Sequence, residues 1–112
     1  MSGRRGASVV EALVAAALAG LATAGLAATA ALAARTLALA RDTAAAVALA
    51  AERTEALYAG PRVDGTDAPA VGATAFARRW RVTPGRGRPD GIAVEVGWPP
   101  QHGITLATEV PP

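Results

Sequence analysis

Few side chains in this sequence could do chemistry, and the one in the most unusual setting is Glu11. It follows Ala7-Ser8-Val9-Val10 and precedes twenty-three residues, Ala12 to Ala34, with no charge, no proline and no strongly polar side chain beyond Thr23 and Thr29. A carboxylate inside a membrane helix costs up to about 2.5–3.5 kcal/mol at the bilayer centre and less near the interface, so such a residue is a functional suspect by default. The plainer alternative is a glutamate that snorkels into the headgroup region. Upstream, Arg4-Arg5-Gly6 closes a short basic head of residues 1–6. A basic head ahead of an apolar run stays on the cytoplasmic side, which sends the C-terminal portion across the membrane.

The remaining reactive types are sparse. Arg78, Arg79, Arg81, Arg86 and Arg88 fall within eleven residues and flank Trp80, a pattern that could contact nucleic acid. Neighbouring positions on a strand point to opposite faces, however, so the cluster reads as a solvated strand edge, and nucleic acid is not expected as a partner. Asp64, Asp67 and Asp90 could offer oxygen ligands to calcium, but their spacing matches no calcium loop and suits turn-forming aspartates better. His102 stands in a proline-rich turn without a nucleophile or carboxylate motif beside it. The chain has no cysteine and one histidine, which removes disulfides, thiol nucleophiles, Cys-based zinc sites and His-rich metal clusters. No catalytic constellation, metal site or cofactor is therefore expected, and the chain does not read as an enzyme.

Composition sets the scale on which these residues are positioned. The 112 residues are 52% hydrophobic but only 4% aromatic, because most of the apolar count is alanine. Alanine favours helix and buries little area, so a large core is not expected. All eleven basic residues are arginine, and a net charge of +2 is too small for strong global attraction to nucleic acid.

The Ala12 to Ala34 run corresponds to about 35 Å of helix, enough for a hydrocarbon core of about 30 Å. The alanine-rich pattern continues from Arg35 to Tyr58, now punctuated by charges, until Gly60-Pro61 stops it. One helix is thus expected from about residue 7 to 58, with residues 7–34 in lipid and 35–58 in water. The aqueous half should bury a stripe that includes Leu39, Leu49 and Leu57. Residues 59–75, broken by Pro61, Gly65, Pro69 and Gly72, read as a loop.

Beyond it the period changes to two. Phe76, Trp80 and Val82, then Ile92, Val94, Val96 and Trp98, then Ile104, Leu106 and Val110 predict three strands within residues 76–112. Pro84-Gly85 to Asp90-Gly91 and Pro99 to Gly103 supply the turns. The expected fold class is α+β: a long N-terminal helix whose aqueous half packs on a small three-stranded antiparallel β-meander. So small a unit without disulfides points to a component of an assembly.

The joint pattern of Arg4-Arg5-Gly6, Ala7, Glu11 and the apolar run resembles the type IV pilin and pseudopilin superfamily. The resemblance implies a pilin-like fold and removal of residues 1–6 as a leader peptide by a prepilin peptidase, which cuts between Gly6 and Ala7. It further implies N-methylation of Ala7 and an assembly role for Glu11, the fifth residue of the mature chain. Phenylalanine or methionine is commoner where this chain has Ala7. Cleavage would free the Ala7 α-amine, and Glu11 of one subunit could pair with that amine on its neighbour and set the axial stagger.

The short chain, the Trp80-Arg81-Val82 and Val94-Glu95-Val96-Gly97-Trp98 strands and the Ile104-Thr105-Leu106-Ala107-Thr108 segment are similar to general secretion pathway protein I, the small minor pseudopilin of type II secretion. They are similar also to the type IV pilus minor pilin of the same size class. The partners implied are other minor and major pseudopilins, the prepilin peptidase, an inner-membrane assembly platform and the lipid bilayer. The location implied is the bacterial inner membrane, single-pass, with a periplasmic C-terminal domain incorporated into a pseudopilus. Two other classes stand beside this reading: a secreted protein with an ordinary signal peptide, whose hydrophobic region would be about 7–15 residues, and an anchored protein that never assembles.

Overall fold

The computed structural model describes residues 2–111, with side chains from residue 6 onward. The side chains of the two head arginines, Arg4 and Arg5, lie outside the described residues. A single helix, α1, spans Ser2–Ala59. Alanine, the best helix former, is its commonest residue, and it ends where Gly60-Pro61 removes both side-chain support and a backbone donor. The first turn carries no acid and the last no base, so the helix dipole is left without compensating side chains.

The chain divides into two compact units at Ala38 and Leu39. In the first unit, every side chain from Gly6 to Ala38 is exposed. In the second, the rest of α1 meets six strands: β1 Gly65–Asp67, β2 Ala70–Val71, β3 Thr74–Ala75, β4 Ala77–Thr83, β5 Asp90–Trp98 and β6 His102–Val110. The class is α+β, as expected, but the sheet is not a three-stranded meander. It has four antiparallel strands in the order β1-β4-β5-β6, and β2 and β3 form a separate two-stranded hairpin.

The additional strands come from residues 59–75, expected as a loop. Asp64 and Gly65 explain how β1 is recruited. The Val82 amide donates to Asp64 Oδ1 at 2.7 Å, and Gly65 lies opposite Trp80 in the β1–β4 register. A Cβ at Gly65 would sit 2.5 Å from Trp80 Cζ2, so only glycine lets the edge strand approach under that ring. In the small hairpin, Gly72 with φ of +61° supplies the left-handed first position of the two-residue turn.

The core lies between the sheet and the last third of α1. Ala46, Leu49, Ala50, Thr54 and Leu57 are buried at three- and four-residue spacing, the stripe expected of one helix face. Ala46 and Ala50 are wholly covered, and with only a methyl at each the sheet comes close to the helix backbone. Phe76, Ile92, Val94 and Val96 are the largest fully buried side chains. Each contributes roughly 1.5–3 kcal/mol relative to exposure. Phe76 and Trp98 meet in a tilted pair with ring centroids 5.6 Å apart.

Two expected core residues are not in it. Leu39 is 42% exposed and Leu106 is 37% exposed. The covered stretch of α1 from Ala46 to Leu57 is about 16 Å long, and Leu39 precedes it by nearly two turns. Leu106 lies on β6, an edge strand with a neighbouring strand on one side only.

Candidate functional site

The N-terminal constellation is built by helix geometry alone. Ala7 and Glu11 are four residues apart in α1, so their side chains lie one above the other on one face. A Cβ at Gly6 would meet nothing within 4 Å among the described residues. Glu11 is exposed, and around and above it Val9, Val10, Leu13, Val14, Leu18, Leu21, Leu26 and Leu32 are each more than half exposed. α1 is the one helix among the described residues long and apolar enough to cross a membrane.

A helix apolar all round requires a nonaqueous surround or packing partners. The two hydroxyls in the run are already satisfied: Thr23 Oγ1 donates to the Ala19 carbonyl at 2.8 Å and Thr29 Oγ1 to the Gly25 carbonyl at 2.9 Å. Neither leaves its hydroxyl donor unmet.

The polar centre of the second unit is one that sequence reasoning missed. Arg78 is on β4 between Phe76 and Trp80, and its side chain is only 4% exposed. Its Nε and Nη2 both donate to the Asp67 carboxylate, Nε at 2.8 Å, while Nη1 donates to the Leu49 carbonyl at 2.9 Å. Arg53 Nη2 approaches the same carboxylate at 3.3 Å, and its guanidinium lies 3.9 Å from the centroid of the Trp80 ring. Trp80 Nε1 donates to the Val63 carbonyl at 2.9 Å.

Hydrogen bonds from Arg78 hold the Asp67 carboxyl below its ordinary range, with the Arg78 and Arg53 charges acting in the same direction against the desolvation that opposes them. The same pairing raises the Arg78 guanidinium. This group joins α1, β1 and β4 by charge-assisted bonds. Strand parity was the available signal: position 78 shares the inward face with 76 and 80.

The other flagged residues are separated. Asp64 bonds the Val82 amide, Asp67 the two arginines, and Asp90 accepts from Arg62 Nη1 at 2.8 Å and the Gly85 amide at 2.9 Å. The Gly85 bond and the Arg62 pairing lower the Asp90 carboxyl. No group of three potential metal ligands gathers among the described residues. The arginine cluster splits between faces, with Arg78 buried and Arg79, Arg81, Arg86 and Arg88 exposed. His102 is exposed beside Trp98, ring centroids 5.5 Å apart.

The outward face of the sheet carries a shallow groove of about 660 Å³ over Ala77, Gly97 and Gly103, with Thr66, Arg79, Glu95 and Thr105 along it. Arg79 and Glu95 are register partners there without forming an ion pair. Compared with protein-family models, curated proteins and solved structures, the chain shows no match.

Proposed function

We propose that this chain is a minor pseudopilin, a structural subunit of a type II secretion pseudopilus tip that helps initiate assembly. The observation that carries the reading is the helical register of Gly6, Ala7 and Glu11 below a fully exposed apolar run. A prepilin peptidase would cut between Gly6 and Ala7 at the cytoplasmic face, and methylation would follow on the Ala7 amine. The new ammonium and Glu11 are opposite charges one helical turn apart in each chain. Between neighbouring chains they would attract by about 4 kcal/mol at 4 Å separation and an effective dielectric of about 20. That attraction favours one axial stagger over the others.

The exposed run has a shape suited to side-by-side packing. Glu11, Val14, Leu18, Leu21 and Leu32 fall on one face of α1, whereas Ala12, Ala16, Ala19, Thr23, Ala27, Ala30 and Ala34 form a smooth face opposite. A ridge of large side chains on one copy fits the smooth face of the next, and small residues permit close backbone approach. The minor pilin of a type IV pilus or DNA-uptake machine shares this N-terminal chemistry, and its genes would neighbour a pilus rather than a secretion apparatus.

N-terminal sequencing of the membrane-extracted protein tests the reading. The expected mature terminus is Ala7. A terminus that keeps Arg4-Arg5, or one near residue 30 as an ordinary signal peptide would leave, overturns it. In the processed protein, Glu11→Gln should preserve cleavage and abolish incorporation into the assembled fibre; unchanged incorporation refutes the role assigned to Glu11.

A further inference from the structure

The two edges of the four-stranded sheet are finished differently. On one side β1 is three residues long and lies between Pro61 and Pro69. Trp80 Nε1 donates to the Val63 carbonyl just before it, and the Phe76 amide donates to the Pro69 carbonyl just after it. Where β4 runs on past β1, Asp64 accepts from the Val82 amide and caps a donor on that side. Short edge strands, flanking prolines and capped donors keep a sheet from adding further strands.

The opposite edge has none of these devices. β6 is nine residues long, contains no proline from His102 to Val110, and carries a single acid, Glu109. It pairs with β5 along its whole length and has no strand on its other side. In an antiparallel edge strand every second residue turns both its N–H and its C=O away from the neighbour. Among the described residues, one side chain from outside the sheet bonds to β6: the Tyr58 hydroxyl lies 3.2 Å from Thr108 Oγ1 and donates to the Glu109 carbonyl at 3.3 Å. That contact is at the end of the strand, and the stretch from Gly103 to Ala107 is left with backbone groups facing outward.

The packing is incomplete at the same place. Trp80, Val94 and Leu106 stand abreast in the register of β4, β5 and β6 and share the inward face. Val94 is wholly buried, whereas Leu106 is 37% exposed. On the outward face β6 offers only Gly103, Thr105 and Ala107 over this stretch, so β6 itself puts no bulky or charged side chain in the way of a further strand.

We propose that the β6 edge takes an extended segment of a second, different protein as a fifth strand, antiparallel to Gly103–Ala107, with an apolar side chain abreast of Leu106. A row of alternating free donors and acceptors is complementary to one class of ligand, a polypeptide in β conformation. Leu106 then selects which face of that polypeptide is apolar. A second copy of this chain does not suit the position. Two β6 edges paired antiparallel are related by a two-fold axis perpendicular to the sheet, which reverses the direction of the α1 segment packed on it. The Leu39 ends of the two helices would then lie on opposite sides of the pair, whereas two spans in one bilayer need them on the same side. The choice of a different protein thus rests on the membrane-spanning reading of the apolar run.

The probe is a blocked peptide of about seven residues that alternates valine and threonine, long enough to span the open stretch. Amide hydrogen exchange is followed by NMR in the full-length chain in micelles. In the free chain every second amide from Gly103 to Ala107 should exchange fast. With peptide at about ten times its Kd those amides should slow by about tenfold, while the intervening ones, already bonded to β5, stay unchanged. The same peptide N-methylated at every residue keeps its side chains, loses its donors and should not bind. Thr105 and Leu106 are neighbours, so one amide faces outward and the other faces β5. Of Thr105→Pro and Leu106→Pro, the variant at the outward amide should keep the fold and lose the peptide. Leu106→Lys, at a partly exposed position where a charge is tolerated, should weaken binding at least roughly tenfold without disturbing β5–β6 exchange.

Uniformly slow exchange along β6 in the dilute free chain overturns the proposal, as does equal binding of the N-methylated peptide or full binding to Leu106→Lys. Protection of the outward amides that grows with protein concentration, in the absence of peptide, assigns the edge to a second copy and overturns the choice of partner. Failure here is separable from failure of the pseudopilin reading: an Ala7 terminus with Glu11-dependent incorporation leaves that reading standing while this contact falls.

Discussion

Replacing Asp67 by asparagine tests the central packing argument of the second unit. Arg78 is buried, with its side chain 4% exposed, while the Asp67 side chain is 34% exposed. Removing one partner of a fully buried pair costs about 3–5 kcal/mol, because the remaining charge is left without compensation. One-third exposure of Asp67 discounts this toward about 2 kcal/mol. The Leu49 carbonyl still accepts from Arg78, but one carbonyl does not neutralise a guanidinium.

For a unit of this size, about 2 kcal/mol lowers Tm by roughly 8–16 °C. Arg78→Met behaves differently. It removes the buried charge, leaves Asp67 with Arg53 at 3.3 Å and partial access to water, and fills most of the volume, so a loss of about 1 kcal/mol or less is expected. The double variant should then be more stable than Asp67→Asn alone, a coupling of about 1 kcal/mol or more. The assay is urea unfolding of the full chain in micelles followed by tryptophan emission. Trp80 sits against Arg53 in the same cluster and reports its loss, whereas helix in the apolar run dominates the far-ultraviolet signal. An Asp67→Asn midpoint equal to wild type, or a double variant that loses the sum of both single losses, would refute the reasoning.

Acid should destabilise the second unit with a defined sign. Asp67 and Asp90 both have carboxyls lowered below 3.8 in the folded state, so their contribution is complete above pH 3.8 and is lost as pH falls from there through the lower folded values. Thermal melts should show Tm falling below about pH 4, with a shallower fall in Asp67→Asn; equal slopes would remove Asp67 from the account. Leu49→Ala should cost roughly 2–5 kcal/mol and Leu39→Ala less than about 1 kcal/mol, measured by the same urea titration, since the first is 8% exposed and the second 42%. Equal losses would mean the helix face is misplaced. Gly65→Ala should destabilise by about 1–3 kcal/mol through collision with the Trp80 ring and shift tryptophan emission; an unperturbed spectrum would show that β1 does not lie under that ring.

Much of this protein is legible from local residue order. An alanine-rich stretch without proline, closed by a Gly60-Pro61 stop, determines one helix, because propensity and chain breaking act over a few residues. The alternation of Ile92, Val94, Val96 and Trp98 determines which face of β5 is buried, because a strand's period of two is a property of its own backbone. The Gly6, Ala7 and Glu11 spacing is local for the same reason, and any helix displays it.

Tertiary structure decided what depends on distant partners. Arginine at position 78 has a surface composition but an inward parity, and only Asp67 arriving on β1 with the Leu49 carbonyl makes its burial tolerable. Residues 65–67 have no strand pattern of their own and become β1 because β4 offers an unpaired edge and Gly65 clears the Trp80 ring. Leu39 and Leu49 look alike in the sequence, and what separates them is how far the sheet extends along the helix. Burial is set by the reach of the surface that covers a residue, and that reach is a property of the assembled layers rather than of any one segment.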